Sequence, residues 1–241
     1  MKTVAVFCGS SLGGDVSYAQ AAVALGQELA RRDIGLWERL GVREPLRVLY
    51  CGRVSVEKNL AVLAEAYKAV CAGRRDVALV VAGDGPYLGE MRAGLAGLPA
   101  YFLGYQDDRQ LPGLYASADL LAFPSRTDTL GQVVMEAQAC GLPALVAHEG
   151  GPKEVVADGS TGLVLPGGDA KRWAEAMVEL LDDPPRRQRM GRAASVRAER
   201  FSISRSFEAF WAAHAAAVAG PQTAEDEIVL PPSPRWRLPV G

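Results

Sequence analysis

Short apolar runs alternate along this chain with longer stretches in which apolar positions recur every three or four residues. The runs predict buried strands and the longer stretches predict amphipathic helices. TVAVF (Thr3 to Phe7) predicts a strand, and YAQAAVALGQELARR (Tyr18 to Arg32) a helix. The strand RVLYC (Arg47 to Cys51) precedes the helix NLAVLAEAYKAVCA, and VALVVAG (Val77 to Gly83) precedes a helix near Tyr87 to Leu95. Then come the short strand AYFLG, the short helix LPGLYASA, the strand DLLAFPS and a helix from about Gly131 to Cys140. The strand ALVA, a helix near PKEVVAD and the strand TGLVL follow. Three helices close the pattern: DAKRWAEAMVELLDD, PRRQRMGRAASVRAERF and SISRSFEAFWAAHAAAVA. Strands apolar on both faces, each followed by a helix, predict an α/β fold, a Rossmann-like parallel sheet covered by helices on both faces. From Pro221 the chain is proline-rich with few core positions, which predicts a flexible tail.

Composition narrows this picture only slightly. The chain has 241 residues, 49% of them hydrophobic, which is enough for a substantial core. A net charge of -2 without a basic run gives no reason to expect a nucleic-acid surface. Cys8, Cys51, Cys71 and Cys140 are scattered without metal-ligand spacing, and only His148 and His214 are available beside them. No metal site is expected. Reduced thiols in a cytoplasmic protein are the plain expectation. No signal-peptide layout is present, and no apolar run approaches the ~20 residues of a membrane helix.

Ligands of a parallel α/β sheet bind beyond the carboxyl ends of the strands, so the chemistry of interest follows each strand. After RVLYC come Arg53 and Lys58, two cations able to reach one diphosphate. Alone, they read more readily as solvated loop charges. After VALVVAG, the turn GDGP supplies flexible glycines and a helix-opening proline, a pattern that packing alone also produces. After AYFLG comes YQDD, with Tyr105 and Gln106 in a polar loop able to meet a nucleobase edge. After DLLAFPS comes RTDTLGQVVMEAQACGLP. Asp128 is expected in the loop or N-cap region, with Glu136 inside the helix and facing the crevice if the helix starts near Leu130. The amides of Leu130 and Gly131 would then be free donors for an anion. Two carboxylates flanking amide donors suit a sugar, a diphosphate and a ribose in that order, although spacing alone favours the plainer reading of an N-cap aspartate and a solvated helix glutamate.

From Trp37 to about Gly220 the chain resembles the C-terminal, donor-binding domain of GT-B glycosyltransferases, the family of sucrose synthases and bacterial mannosyltransferases. The pieces that carry the resemblance are, in order, ERLGV, GRVSVEKNL, VVAGDGP, FLGYQDD, YASADLLAFPS, TDTLGQVVMEAQACGLPALVA, GGPKEVV and TGLVLP. The family's pair of glutamates separated by seven residues becomes Asp128 and Glu136. The resemblance implies that Asp128 contacts the donor hexose and Glu136 the ribose hydroxyls. It implies that Arg53 and Lys58 hold the diphosphate without a metal, and that the loop Tyr105 to Asp108 meets the base. The aspartate is a departure that keeps the charge and shortens the reach. No protein nucleophile is implied.

The opening MKTVAVFCGSSLGGDVSYAQAAVALGQELARRDIGL resembles instead the first strand and helix of LOG-type, cytokinin-activating phosphoribohydrolases. It lacks their Pro-Gly-Gly-x-Gly-Thr-x-x-Glu stretch, which LPGGDAKRWAE (Leu165 to Glu175) matches only superficially. TVAVF is expected to join the sheet as an additional strand. Residues 1–36 thus read as a βα segment, 37–220 as the donor-binding domain and 221–241 as the tail, a chimera by natural fusion or engineered recombination. A complete GT-B enzyme also needs an acceptor-binding domain. The expected function is hexosyl transfer from a nucleoside-diphosphate sugar, with a possible acceptor-domain partner. The alternatives are a non-catalytic nucleotide-sugar-binding module, a recombined scaffold and, third, a nucleoside-monophosphate phosphoribohydrolase.

Overall fold

The computed structural model describes residues 36–107 and 109–219. The LOG-like segment with its expected extra strand TVAVF, Asp108 and the Pro-rich tail lie outside the described residues.

Six parallel strands form one sheet in the order β3-β2-β1-β4-β5-β6. They are β1 (Leu46–Cys51), β2 (Val77–Ala82), β3 (Ala100–Gly104), β4 (Leu120–Phe123), β5 (Ala144–Ala147) and β6 (Gly162–Leu165). Every residue of β2, β4 and β5 is buried, as expected of strands with helices on both faces. The register runs Val48 opposite Leu79 on one side of β1 and opposite Leu120 on the other. The strand order reverses direction between β1 and β4, the place where such sheets leave a crevice at their carboxyl ends.

The helices are α1 (Leu36–Arg39), α2 (Leu60–Gly73), α3 (Leu88–Gly94), α4 (Leu111–Ser117), α5 (Gln132–Ala139), α6 (Pro152–Val155), α7 (Ala170–Leu181) and α8 (Pro184–Ala198). They gather in two groups: α2 packs against α3 and α7, and α5 packs against α4 and α8. Asp169 and Asp183 cap α7 and α8 by accepting from the amides of Arg172 and Arg186, each at 2.9 Å. Buried polar tips find backbone partners: Tyr67 Oη donates to Val77 O and Pro99 O at 2.9 and 2.8 Å, and Trp173 Nε1 to Pro166 O at 2.9 Å. After Phe201 a further helix, α9 (Ile203–Ala219), forms a unit of its own with Phe207, Phe210 and Trp211 exposed.

Two glycines show how the loops after β1 and β2 are joined. A Cβ on Gly83 would lie 1.9 Å from Gly52 O, and one on Gly85 would lie 2.3 Å from Val54 O. The amide of Gly52 donates to Ala82 O and that of Val54 to Asp84 O, at 3.0 and 2.9 Å. The GDGP turn therefore serves backbone-to-backbone packing, which builds the floor beside the crevice.

Candidate functional site

The loop leaving β1 carries the first cations. Tyr50, buried at the strand end and stacked on Phe123 of β4, donates from Oη to Arg53 O at 2.7 Å. Burial, then the charge of Asp128, pushes its phenol well above the usual tyrosine range, so it stays a neutral donor. Arg53 itself is mostly exposed and lies 3.9 Å from Glu57. Glu57 is held below the usual carboxylate range by a hydrogen bond from Ser55 Oγ at 2.7 Å, its own backbone and the nearby Arg53 and Lys58. A 3-10 turn, Val56–Lys58, ends in Asn59, which adopts the left-handed conformation. Lys58 thus closes that turn ahead of α2, and does not open the helix itself. Asn59 Nδ2 donates to Pro124 O at 3.2 Å and to Gly167 O at 2.6 Å, tying this loop to those after β4 and β6.

The loop after β4 meets it. Lys58 Nζ donates to both carboxylate oxygens of Asp128, at 2.7 and 2.9 Å. The two side chains are 18% and 24% exposed, so this ion pair is half-hidden, spanning the reversal between β1 and β4. The backbone of Asp128 is clamped from behind. Gly151 N donates to Asp128 O at 2.7 Å, and a Cβ on Gly150 would sit 2.9 Å from the same oxygen.

Helix α5 starts two residues later than a start near Leu130 would give. Gly131 is its N-cap in the left-handed conformation, and a Cβ there would lie 2.9 Å from Pro152 Cγ. That conformation cannot continue a right-handed helix, so the first helical residue is Gln132. Among the described residues, the amides of Leu130 and Gly131 donate to no backbone acceptor. Leu130 is exposed and Gly131 is buried. Glu136, one turn into α5, is half-buried and accepts from Tyr115 Oη of α4 at 3.1 Å. Tyr115 also meets Cys51 at the end of β1, and burial raises the pKa of both groups, that of Tyr115 well above the usual tyrosine range. Glu136 therefore lies beside the carboxyl end of β1, as Asp128 does.

The loop after β3 sits two strands from β1, roughly 10 Å at the usual strand spacing. Tyr105 is 80% exposed there. Gln106 Nε2 is turned inward, donating to Leu103 O and Tyr105 O, each at 3.0 Å.

Lys58, Asp128 and Glu136 are thus brought to one end of β1. Arg53 joins them through Glu57, while Tyr105 and Gln106 occupy the edge-strand loop. Several neighbours were not legible as site residues: Glu57, Asn59, Tyr115, and the trio Arg126, His148 and Glu149. In that trio Glu149 lies 3.0 Å from Arg126 Nε and 3.1 Å from His148 Nδ1. Their only sequence signal is position after a strand end. Among the described residues no three His, Cys, Asp or Glu side chains gather as a metal would require. No described helix is long and apolar enough to cross a membrane.

A cavity of about 670 Å³ opens at the amino ends of the strands, with Tyr115 in its lining. There Asp119 accepts from Arg47 N at 2.9 Å and Arg187 Nη2 at 3.1 Å, joining β1, β4 and α8.

Known proteins resemble this chain in sequence and in fold. The plant sulfoquinovosyl transferase SQD2 of Arabidopsis thaliana is 34% identical over 168 residues, covering 68% of this chain and 32% of its own. A D-inositol 3-phosphate glycosyltransferase of Salinispora arenicola is 37% identical over 229 residues, covering 88% of this chain and 48% of its own. The chain thus spans between a third and a half of the length of these relatives. HepE of Anabaena, solved in complex with UDP, superposes with a TM-score of 0.69 at 24% identity, covering 79% of this chain and 55% of that one. This likeness shows a shared fold. The family model described as "Glycosyl transferases group 1" matches residues 38–197, more than half of the chain, and the chain belongs to that family.

Proposed function

We propose that this chain is the donor-binding half of a glycosyltransferase that moves a hexosyl group from a nucleoside-diphosphate sugar. The observation that carries the reading is the convergence at the β1–β4 reversal of the Lys58 cation, the Asp128 carboxylate and the Glu136 carboxylate. Lys58, with Arg53 at the rim, holds the diphosphate. The amides of Leu130 and Gly131 add donors at the start of α5. Glu136, oriented by Tyr115, takes the ribose hydroxyls, and Asp128 takes the hexose. Tyr105 and Gln106 lie where the base would extend. Fixed cations and amides of this kind stabilise the charge that develops on a departing nucleoside diphosphate. Solved relatives of the same fold have been captured with UDP and with UDP-glucose, which supports this class of ligand. The buried thiols of Cys51 and Cys71 accord with a reducing compartment, the cytoplasm.

A second reading is a nucleotide-sugar-binding module without turnover. It draws on the same donor-side residues, Lys58, Asp128 and Glu136, which would bind a nucleotide sugar in either reading. In the first reading a further domain or partner supplies the acceptor side. Holding two substrates in near-attack geometry is worth about 7–11 kcal/mol of barrier, which a donor site alone does not provide. The test is calorimetric titration of UDP, GDP, ADP and their hexose conjugates, beside an assay for released nucleoside diphosphate with and without acceptors. Binding with slow release is the expected outcome. No binding of any nucleotide would overturn both readings, and rapid transfer to an acceptor would overturn the second.

A further inference from the structure

The two cations assigned to the diphosphate are already paired within the protein. Arg53 has a loose, exposed partner in Glu57 at 3.9 Å. Such pairs exchange readily with solvent and ions and contribute little. Lys58 is different. Its ammonium is gripped by both oxygens of Asp128, at 2.7 and 2.9 Å, with both side chains mostly covered. The Asp128 backbone is pinned by Gly151 N and crowded by Gly150, so the loop holds its place while the short side chain keeps its rotamer freedom.

We propose that Asp128 is an internal competitor for Lys58, a carboxylate that masks the cation in the empty site and must yield it to a diphosphate. This rests on the donor reading above and adds a mechanism of selectivity to it. A bare nucleoside diphosphate takes Lys58 and strands the Asp128 carboxylate beside two new negative charges. Like charges at that spacing repel, and the carboxylate loses its strongest partner. A nucleotide bearing a sugar brings hydroxyl donors to the same place, and Asp128 exchanges an ammonium for those hydroxyls. The exchange makes the site disfavour the leaving group alone relative to the intact donor. Product release is thereby favoured without any movement of the backbone.

The prediction is specific in sign. Asp128→Asn, which keeps shape and removes charge, should lower the dissociation constant of the preferred nucleoside diphosphate by about three- to tenfold, the size expected for a partly covered ion pair. The same change should erase most of the preference for the sugar nucleotide over the diphosphate. Lys58→Met should weaken the diphosphate tenfold or more, and the monophosphate less. In the Lys58→Met background, Asp128→Asn should bring a smaller gain, because only the like-charge repulsion is relieved and no masked cation is left to release. Titration calorimetry on the full chain reads all four proteins, with circular dichroism confirming their fold. A crystal structure with diphosphate bound supplies a measurement that needs no variant: Lys58 Nζ should lie beyond 4 Å from Asp128.

Weaker or unchanged diphosphate binding by Asp128→Asn would overturn the exchange, as would an equal gain in the Lys58→Met background. An intact Lys58–Asp128 pair in the bound structure would do the same. If Lys58→Met leaves diphosphate binding untouched while the wild type binds, the assignment of Lys58 in the donor reading is what fails. If no nucleotide binds at all, the donor reading falls and the exchange with it.

Discussion

Replacing Gly83 by alanine should destabilise this protein far more than its single methyl group suggests. The new Cβ would lie 1.9 Å from Gly52 O and 2.9 Å from Gly52 C, with Gly52 N at 3.5 Å. All three atoms are backbone, so no side chain can rotate away. An ordinary contact needs well over 3 Å, so the loop after β1 or the end of β2 must shift by more than 1 Å. Both are held by the bonds Gly52 N to Ala82 O and Gly83 N to Gly104 O, at 3.0 and 2.8 Å. The φ of 147° at Gly83 adds conformational cost for an L-residue. Overpacking a well-packed site costs about 1–3 kcal/mol, and the absence of any yielding atom puts Gly83→Ala at about 3 kcal/mol. For a domain of this size that is a fall of about 6–12 °C in Tm. Gly89→Ala is the control. It sits in α3 with nothing within 4 Å of the added Cβ, and should raise stability by about 0.5–1 kcal/mol. Thermal and urea unfolding followed by circular dichroism measure both. A Gly83→Ala protein within about 0.5 kcal/mol of wild type would refute the claim that this turn exists for backbone packing.

Three further outcomes are expected. Glu136→Ala should abolish detectable nucleoside-diphosphate binding by calorimetry, and Arg53→Ala should weaken diphosphates more than monophosphates, since the second phosphate is what the cation would hold. Tyr115→Phe removes the donor 3.1 Å from Glu136 and should weaken nucleotide binding about three- to tenfold, with the loss absent in a Glu136→Gln background. Arg74→Met removes hydrogen bonds of 2.7 and 2.8 Å that hold Asp76 below the usual carboxylate range. A carboxyl depressed on folding stabilises above its unfolded pKa and loses that contribution as pH falls through its folded value. The variant should therefore lose at most about 1 kcal/mol at pH 7, the carboxylate being half exposed, and the difference from wild type in urea unfolding should shrink as pH falls below the ordinary aspartate range.

The sheet was legible because burial on both faces leaves an unmistakable composition. VALVVA is apolar at every position and could be nothing else, and the strand ends came out within a residue or two for the same reason. Asp128 and Glu136 were also legible as a pair, since the strand LLAF, the loop and α5 lie in one continuous stretch and local spacing carries them to one end of the sheet. The start of α5 came out within a residue of the expected Gly131, two residues after the start near Leu130 considered for Glu136. The left-handed twist of Gly131 is set by Pro152 packed against it, 21 residues away in the chain.

What the sequence determined by itself was therefore the alternation of elements and the residue types that each strand delivers. Only tertiary structure decided which of those residues meet. Lys58 and Asp128 are 70 residues apart, and nothing local in either segment says that one ammonium will hold both oxygens of one carboxylate. That contact exists because β4 returns to lie beside β1 while β2 and β3 extend the sheet the other way. Tyr115 reads in the sequence as one more helix residue, and becomes the orienting donor for Glu136 only when α4 and α5 pack together. The GDGP turn looks equally fit for phosphate and for packing until the carbonyl of Gly52 is found beneath it. Hydrophobic periodicity is a property of neighbours along the chain, whereas charge pairing and close backbone approach depend on distances that only the assembled sheet defines.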